Sequence, residues 1–272
     1  MESLTRFSNL IRVTKPITRI LGPEYKTTLD LIEIDVTYDC NLRCYNCNRS
    51  CSQAPSEDSM TVEQIEKFLS ETRRVGRRWK RIRLLGGEPF LHPDIFQIIE
   101  VLIEYKKKYS LSIIIEISTN GFGEFVNKRL KTTPPDIVVN NSYKDSPLQE
   151  KFEAFNLAPC DQPEFNQVDY ANACWITSIC GMGLNMYGYY QCAVAAGIDR
   201  IMGLDMGLKS IPLDTEKFNK QKRYLCRYCG HFINRHRTHS AERKNIEGII
   251  ISPIWNRAYL TYSKNKPSLS RY

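Results

Sequence analysis

No stretch of the 272-residue chain approaches the roughly 18 uninterrupted apolar residues of a membrane-spanning helix. The first 20 residues scatter Glu2, Arg6, Arg12, Lys15 and Arg19 through their apolar positions, so they lack the compact apolar block of a secretory signal. These two absences argue against a membrane protein or an exported one and lead us to expect the cytoplasm. Internal repeats and low-complexity tracts are missing too, which leaves an ordinary globular chain. Its 42% hydrophobic and 25% charged residues suffice for a sizeable core, one large domain with a small appendage.

The net charge of +8 would suit a nucleic-acid partner if it were concentrated on one working face, but it lies at the flanks. Residues 1–30 carry five Lys or Arg against three acids, and residues 231–272 carry eight against two. The stretch between them balances at 25 against 25. Nucleic acid is therefore not the expected partner, and the basic run Arg235 to Lys244 reads as a solvated surface.

What the chain has in excess is cysteine, ten in all. In a reducing compartment such a load points to thiolate ligands rather than to five disulfides. From Leu31 onward, short β-branched runs alternate with amphipathic helical patterns, the signature of βα units around a parallel sheet. Strands are predicted at about Leu31 to Thr37, Arg81 to Leu85, Leu111 to Thr119 and Ile137 to Ser142. Helices are predicted at Thr61 to Val75, where Thr61 and Gln64 form a capping-box pattern, and at Pro93 to Tyr105. Further on, LNMYGYYQC at 184–192 reads as a hairpin around Gly188, and Glu216 to Cys226 as a short helix. The apolar residues of the first 25 positions suggest a helix plugging one end of the sheet.

The strongest local signal is CNLRCYNC at 40–47, in the loop directly after the first strand. Three thiolates spaced CxxxCxxC can hold three irons of a cubane cluster and leave the fourth open to a cofactor. Sites in parallel βα architectures gather at the carboxyl ends of the strands, where this loop lies and where the second strand ends in GGEP at 86–89. Gly86 and Gly87 permit close backbone approach, and Glu88 offers a carboxylate to an amine.

These motifs resemble those of the radical S-adenosylmethionine (radical SAM) superfamily over about residues 31–145. The resemblance implies an α/β fold, a partial (β/α)6 TIM-like barrel, with Cys40, Cys44 and Cys47 on a [4Fe–4S] cluster and S-adenosylmethionine on its open iron. It implies that Gly86, Gly87 and Glu88 meet the methionine amine. STNG at 118–121 looks like the family's third-strand end, making Ser118 and Asn120 cofactor contacts, and Ser142 or Asn140 resembles the position that reaches the ribose or carboxylate. Where the family usually has an aromatic residue before the third cysteine, near the adenine, this chain has Asn46. Cys51 is read as a neighbouring thiol without a ligand role. An external electron donor such as flavodoxin or ferredoxin is implied.

A second cysteine group, Cys174 and Cys192 followed by Cys226 and Cys229, resembles the auxiliary-cluster module called twitch, a reduced relative of the SPASM domain. That likeness implies a second [4Fe–4S] cluster on these four residues, with Cys180 as the rival of Cys174. Zinc is the competing reading, because His236 and His239 follow the CxxC pair. The expected organisation is an N-terminal extension (1–30), a barrel core (31–170), a twitch-like module (171–235) and a basic C-terminal tail (236–272).

Alternation on the first strand sends Ile32, Ile34 and Val36 toward helices and Glu33, Asp35 and Thr37 inward. Glu116 shares a face with Ser118 and Asn120, and Arg81 with Arg83. Such a lumen suits a small polar substrate, and a set of buried ion pairs explains it equally well. Glu116, Asn141, Tyr143 and Lys144 are the substrate-contact candidates; the catalytic residue is not identified. The cysteine spacing is also similar to that of the enzymes that oxidise 2-deoxy-scyllo-inosamine, so oxidation of a sugar or aminocyclitol-like molecule is the leading expectation. A peptide maturase that cross-links, epimerises or oxidises a ribosomal precursor is the alternative. Glycyl-radical activation and a non-catalytic metal-binding module fit less well.

Overall fold

The computed structural model describes residues 8, 10–150, 153, 155–172, 174–232 and 248–272. Six strands form one mixed sheet. β1 (Leu31–Thr37), β3 (Arg81–Gly86), β4 (Ile114–Thr119) and β5 (Val138–Asn141) run parallel in that spatial order. On the other side of β1 the sheet continues with β7 (Met182–Asn185), parallel to β1, and then β8 (Gly188–Tyr190), antiparallel to β7. The short pair β2 (Arg43–Cys44) and β6 (Leu148–Gln149) stands apart and ties the cysteine loop to the segment after β5. This is an α/β architecture dominated by a parallel sheet, consistent with a partial TIM-like barrel. The last two strands join beside β1 rather than extending the sheet beyond β5.

The helices form where the pattern places them. α2 (Val62–Arg74) begins at a complete capping box, with Gln64 N–H donating to Thr61 Oγ1 and Thr61 N–H donating to Gln64 Oε1. Its apolar face, Ile65, Phe68 and Leu69, meets Ile32, Ile34 and Val36 of β1 in the larger core. α3 (Ile95–Tyr109) adds Ile98, Ile99 and Leu102 to the same core and runs one turn longer than its sequence signal. Between these helices, buried His92 is fixed as a neutral tautomer: Nε2 donates to Met60 O at 2.7 Å, and Asp94 N–H donates to Nδ1. Burial lowers its pKa below 6.5. The unfolded chain therefore binds a proton that the folded one refuses, and the stability from His92 is complete above about pH 6.5 and lost as pH falls below it. The urea midpoint should fall between about pH 7.5 and 5.5, and His92→Gln should flatten that slope.

A second core gathers around α6 (Ala193–Met202). It takes in Tyr190, Leu225 of α7 (Asn219–Leu225) and Trp255, Tyr259 and Tyr262 of α8 (Pro253–Lys264). The basic C-terminal tail expected at 236–272 is therefore no solvated extension over residues 253–264. Three aromatic residues at helical spacing outweigh the scattered cations, and Trp255 is fully buried. Tyr272 is buried as well, its hydroxyl donating to Glu71 Oε2. The expected boundary at 170/171 does not coincide with a break in the sheet, because β7 and β8 carry it across.

Among the described residues, the N-terminal segment packs apart from the core of the sheet. Val13 packs with Phe165, Val168 and Phe232 in a small third cluster, and α1 (Lys15–Leu21) leaves Ile20 and Leu21 exposed. The hairpin turn lies at Met186 and Tyr187, with Gly188 opening β8. Among the described residues no helix is long and apolar enough to cross a membrane.

Candidate cluster and cofactor site

The loop after β1 carries Cys40, Cys44 and Cys47 to the carboxyl end of the sheet, and three sets of contacts hold it. Gly87 N–H donates to Thr37 O and Glu88 N–H to Asp39 O, both at 2.8 Å, so the GGEP turn is strapped to the chain just before Cys40. A Cβ on Gly86 or Gly87 would overlap the carbonyl of Thr37 or Asp39, which is why both positions are glycine. Next to Cys40, Asn41 pairs with Asn120 of the STNG turn: Asn120 Nδ2 donates to Asn41 Oδ1 at 2.8 Å and Asn41 Nδ2 to Phe122 O at 2.7 Å.

Glu88 is 0% exposed, and its carboxylate is already engaged. Oε1 accepts from Thr119 Oγ1 and Phe90 N–H, and Oε2 accepts from Asn120 N–H at 2.7 Å. Burial raises its pKa against these three donors. The side chain locks the end of β3 to the end of β4. An amine meeting this carboxylate would share it with these three donors.

Asn46, also 0% exposed, is engaged as well. With φ at 56°, a left-handed conformation that asparagine tolerates, it donates from Nδ2 to Gly248 O and accepts at Oδ1 from Ile250 N–H. The amide behaves like a strand edge and fastens the 248–250 segment beside the cluster loop, which accounts for asparagine where an aromatic residue was expected. No local signal could have shown this, since the partners lie about 200 positions away.

The remaining candidates divide. Ser118, Asn140 and Glu116 form one polar group, with Asn140 Nδ2 donating to Glu116 Oε1 at 3.2 Å and to Ser118 Oγ. Ser142 Oγ donates to Thr119 O, and Asn141 Oδ1 accepts from Tyr143 N–H. Lys144 stands close enough to Cys44 to favour its thiolate. The Tyr143 side chain is exposed, at 82%.

The inward face of the sheet is charged and paired. Arg83 bridges Glu33 and Glu116 with contacts of 2.9 Å to each, and Arg49, just after the cysteine loop, reaches Glu33 at 3.2 Å and Asp35 at 3.3 Å. Burial pushes Asp35 up to about 6, with Arg49 opposing. At Arg49 burial works against the charge, and Asp35 and Glu33 more than offset it. The ion-pair reading of this face is therefore realised. Cys180 belongs to the same face, where the charges of Glu33, Arg49 and Arg83 act on its thiol.

None of the ten cysteines is in a disulfide. Cys174, Cys192, Cys226 and Cys229 line one small cavity with Ile176, Ala195 and Ile198. Gly183 of β7 lets the Cys192 segment approach, because a Cβ there would overlap Ala193 N. Burial pushes Cys174, Cys192 and Cys226 each up to about 12 and Cys229 well above its ordinary value, and every one of them feels at least one of the others. Four buried thiols are costly to ionise unless a multivalent cation joins them, so the donor set fits an iron–sulfur cluster. Among the described residues no three His, Cys, Asp or Glu side chains converge as ligands of a single ion. His236 and His239 of the zinc reading lie outside the described residues. Buried Lys222 donates to Thr27 Oγ1 and interacts with Cys226, Cys192 and Cys174, one positive charge beside three of the thiols.

At the first loop burial pushes Cys40 and Cys44 up to about 12, with Cys47 contributing. Cys47 is lowered to about 6, chiefly by the neighbouring Cys51, so Cys51 supports a neighbour's thiolate. Three thiols in one loop also fit a cluster.

Comparison with known proteins agrees over part of the chain. The model of the radical SAM superfamily matches residues 34–138. GTP 3′,8-cyclase of Aliarcobacter butzleri is 31% identical over 96 residues, 35% of this chain and 28% of its own length. The probable GTP 3′,8-cyclase of Pyrococcus horikoshii is 37% identical over 95 residues, with 35% and 28% covered. The chain thus spans less than a third of the curated relatives it matches first. Among solved structures, BtrN in complex with AdoMet and 2-DOIA aligns with a TM-score of 0.43 at 14% identity, covering 84% of this chain and 96% of that one.

Proposed function

We propose, for a chain that carries a radical SAM domain over residues 34–138, radical-based oxidation or related modification of a small polyhydroxylated molecule such as a sugar or aminocyclitol. In this reading Cys40, Cys44 and Cys47 ligate a [4Fe–4S] cluster whose open iron takes S-adenosylmethionine, and Cys174, Cys192, Cys226 and Cys229 ligate a second cluster. When bound and reduced, the first pair supplies a 5′-deoxyadenosyl radical that removes a hydrogen atom from the substrate. A carbinol carbon that has lost a hydrogen atom becomes a ketone by releasing one proton and one electron, and a second cluster gives that electron a destination.

The chain's own residues contribute position. The Glu33–Arg83–Glu116 array, with Asn140 and Ser118 at its edge, offers fixed charges and amides to hydroxyl or amino groups. Because Arg83 and Arg49 already satisfy these carboxylates, a substrate must supply donors that compete with a guanidinium, which favours polyols and amines over apolar molecules. The observation that carries the reading is the gathering of the thiols: Cys174, Cys192, Cys226 and Cys229 line a single cavity that Cys180, from the same stretch of chain, does not line.

Anaerobic reconstitution followed by reduction with S-adenosylmethionine tests it. About eight irons per chain and release of 5′-deoxyadenosine are expected. Aminocyclitols and sugars should stimulate that release more than GTP or short peptides do. Stimulation by peptides alone would favour a maturase, and tightly bound zinc with only about four irons would remove the second cluster. Cys174→Ala should cost the second cluster's iron while Cys180→Ala keeps it, so the reverse result in an iron assay would reassign the ligand.

A further inference from the structure

Directly outside the wall of the four-cysteine cavity lies an open cleft of about 750 Å³. Four cations line it. Lys15 and Arg19 stand one turn apart on α1, Arg223 is on α7, and Arg227 lies on the turn between Cys226 and Cys229. The acid that lines the cleft, Asp169, is engaged: its Oδ2 accepts from Thr18 Oγ1 at 2.7 Å and from Asn172 Nδ2 at 2.8 Å. Lys15, Arg19, Arg223 and Arg227 are all exposed. The turn Cys226–Tyr228 that carries Arg227 contributes to both spaces, with Cys226 on the cavity and Arg227 on the cleft.

We propose that this cleft is the docking surface for an acidic one-electron carrier protein that exchanges electrons with a cluster held by Cys174, Cys192, Cys226 and Cys229. The inference rests on the functional reading above, which needs electrons to pass between the protein and an outside carrier. Positive charge at the cleft complements an acidic carrier, and Arg227 sits on the same turn as Cys226. Electron-transfer encounters are small and weak, so steering by a few exposed cations dominates their association. The exchange moves one electron and nothing else: the cluster is oxidised by one electron, the carrier is reduced by one, and no bond forms or breaks. α7 serves both sides, since it presents Arg223 to the cleft and Lys222 to the thiols.

The test uses the reconstituted enzyme, a K15E/R19E/R223E variant, and flavodoxin as the probe. Calorimetric titration at low and high salt gives affinity. Mixing the pre-reduced enzyme with oxidised flavodoxin gives the rate of semiquinone formation, and a small neutral quinone serves as the control acceptor. The variant should bind flavodoxin at least about tenfold more weakly at low salt, lose most of the salt dependence, and slow semiquinone formation by a similar factor. Its rate with the quinone should not change. Unaltered flavodoxin affinity overturns the proposal, as does equal slowing with both acceptors at full iron content, which would place the effect at the cluster. Tight binding of GTP or inorganic pyrophosphate that is lost in the variant, without an effect on flavodoxin, makes the cleft a small-anion site and also overturns it. If the triple variant takes up too little iron, R19E alone should weaken flavodoxin binding about threefold, and no change sinks the idea. Dithionite-driven release of 5′-deoxyadenosine by the wild type separates the two claims: its absence defeats the functional reading, whereas its presence beside unaltered flavodoxin binding defeats only the docking surface.

Discussion

Replacing Cys40, Cys44 and Cys47 together by Ala should lower bound iron from about eight to about four per chain and abolish formation of 5′-deoxyadenosine. The loss should be specific because the loop does not depend on these thiols for its position. Gly87 and Glu88 strap it to the GGEP turn, Asn41 to the STNG turn, and Asn46 to the 248–250 segment. The iron-free variant should therefore unfold in urea within about 1 kcal/mol of the iron-free parent, since removing part-buried sulfur costs little beside the retained hydrogen bonds. Iron analysis, product assay and denaturant titration on the same samples read all three. Residual cleavage would show that the trio is not the cofactor's anchor, and collapse of the iron-free fold would show that the thiols themselves hold the loop.

Arg200→Met should be the most damaging substitution away from the cysteines. Arg200, on α6, is 2% exposed and donates to Ala54 O and Tyr262 Oη through Nη1 and to Arg49 O and Ser50 O through Nη2. Its guanidinium lies 4.3 Å from the Tyr38 ring centre. One side chain thus collects the carbonyls at the exit of the cluster loop and joins them to α6 and α8. Methionine would fill most of the volume and withdraw the guanidinium donors of the buried Ala54 and Arg49 carbonyls, while Ser50 O keeps the Ala54 N–H, a loss of about 3 kcal/mol. That corresponds to a melting temperature lower by about 5–10 °C, with slower cluster uptake because the loop after Cys47 loses its anchor. Arg200→Lys should recover little, since one ammonium cannot span acceptors a planar fork reaches together. Wild-type stability and iron uptake in Arg200→Met would refute this account.

Much of the architecture was legible in the residues. β-branched alternation located β1, Thr61 with Gln64 marked the start of α2, and CxxxCxxC followed by GGEP marked the rim. These are signals of short range: side-chain periodicity, capping and loop spacing depend on neighbours within a few positions. The sequence also separated two cysteine groups, because their spacing is itself local.

Long-range choices were settled only by the folded chain. That Glu88 is engaged by Thr119, Phe90 and Asn120 follows from β3 lying beside β4, and that Asn46 clamps residues 248–250 depends on where a distant segment returns. The same holds for α8, whose aromatic side reads as sparse in a basic tail until α6 gives it a surface to cover. Spacing favours Cys174 over Cys180 as the first of the four, and the folded chain adds that Cys174 lines the shared cavity while Cys180, just before β7 and beside β1, also feels Glu33 and Arg49. Composition and periodicity determine which elements form; which polar groups meet is decided by the packing of those elements, because burial must pair every charge it removes from water.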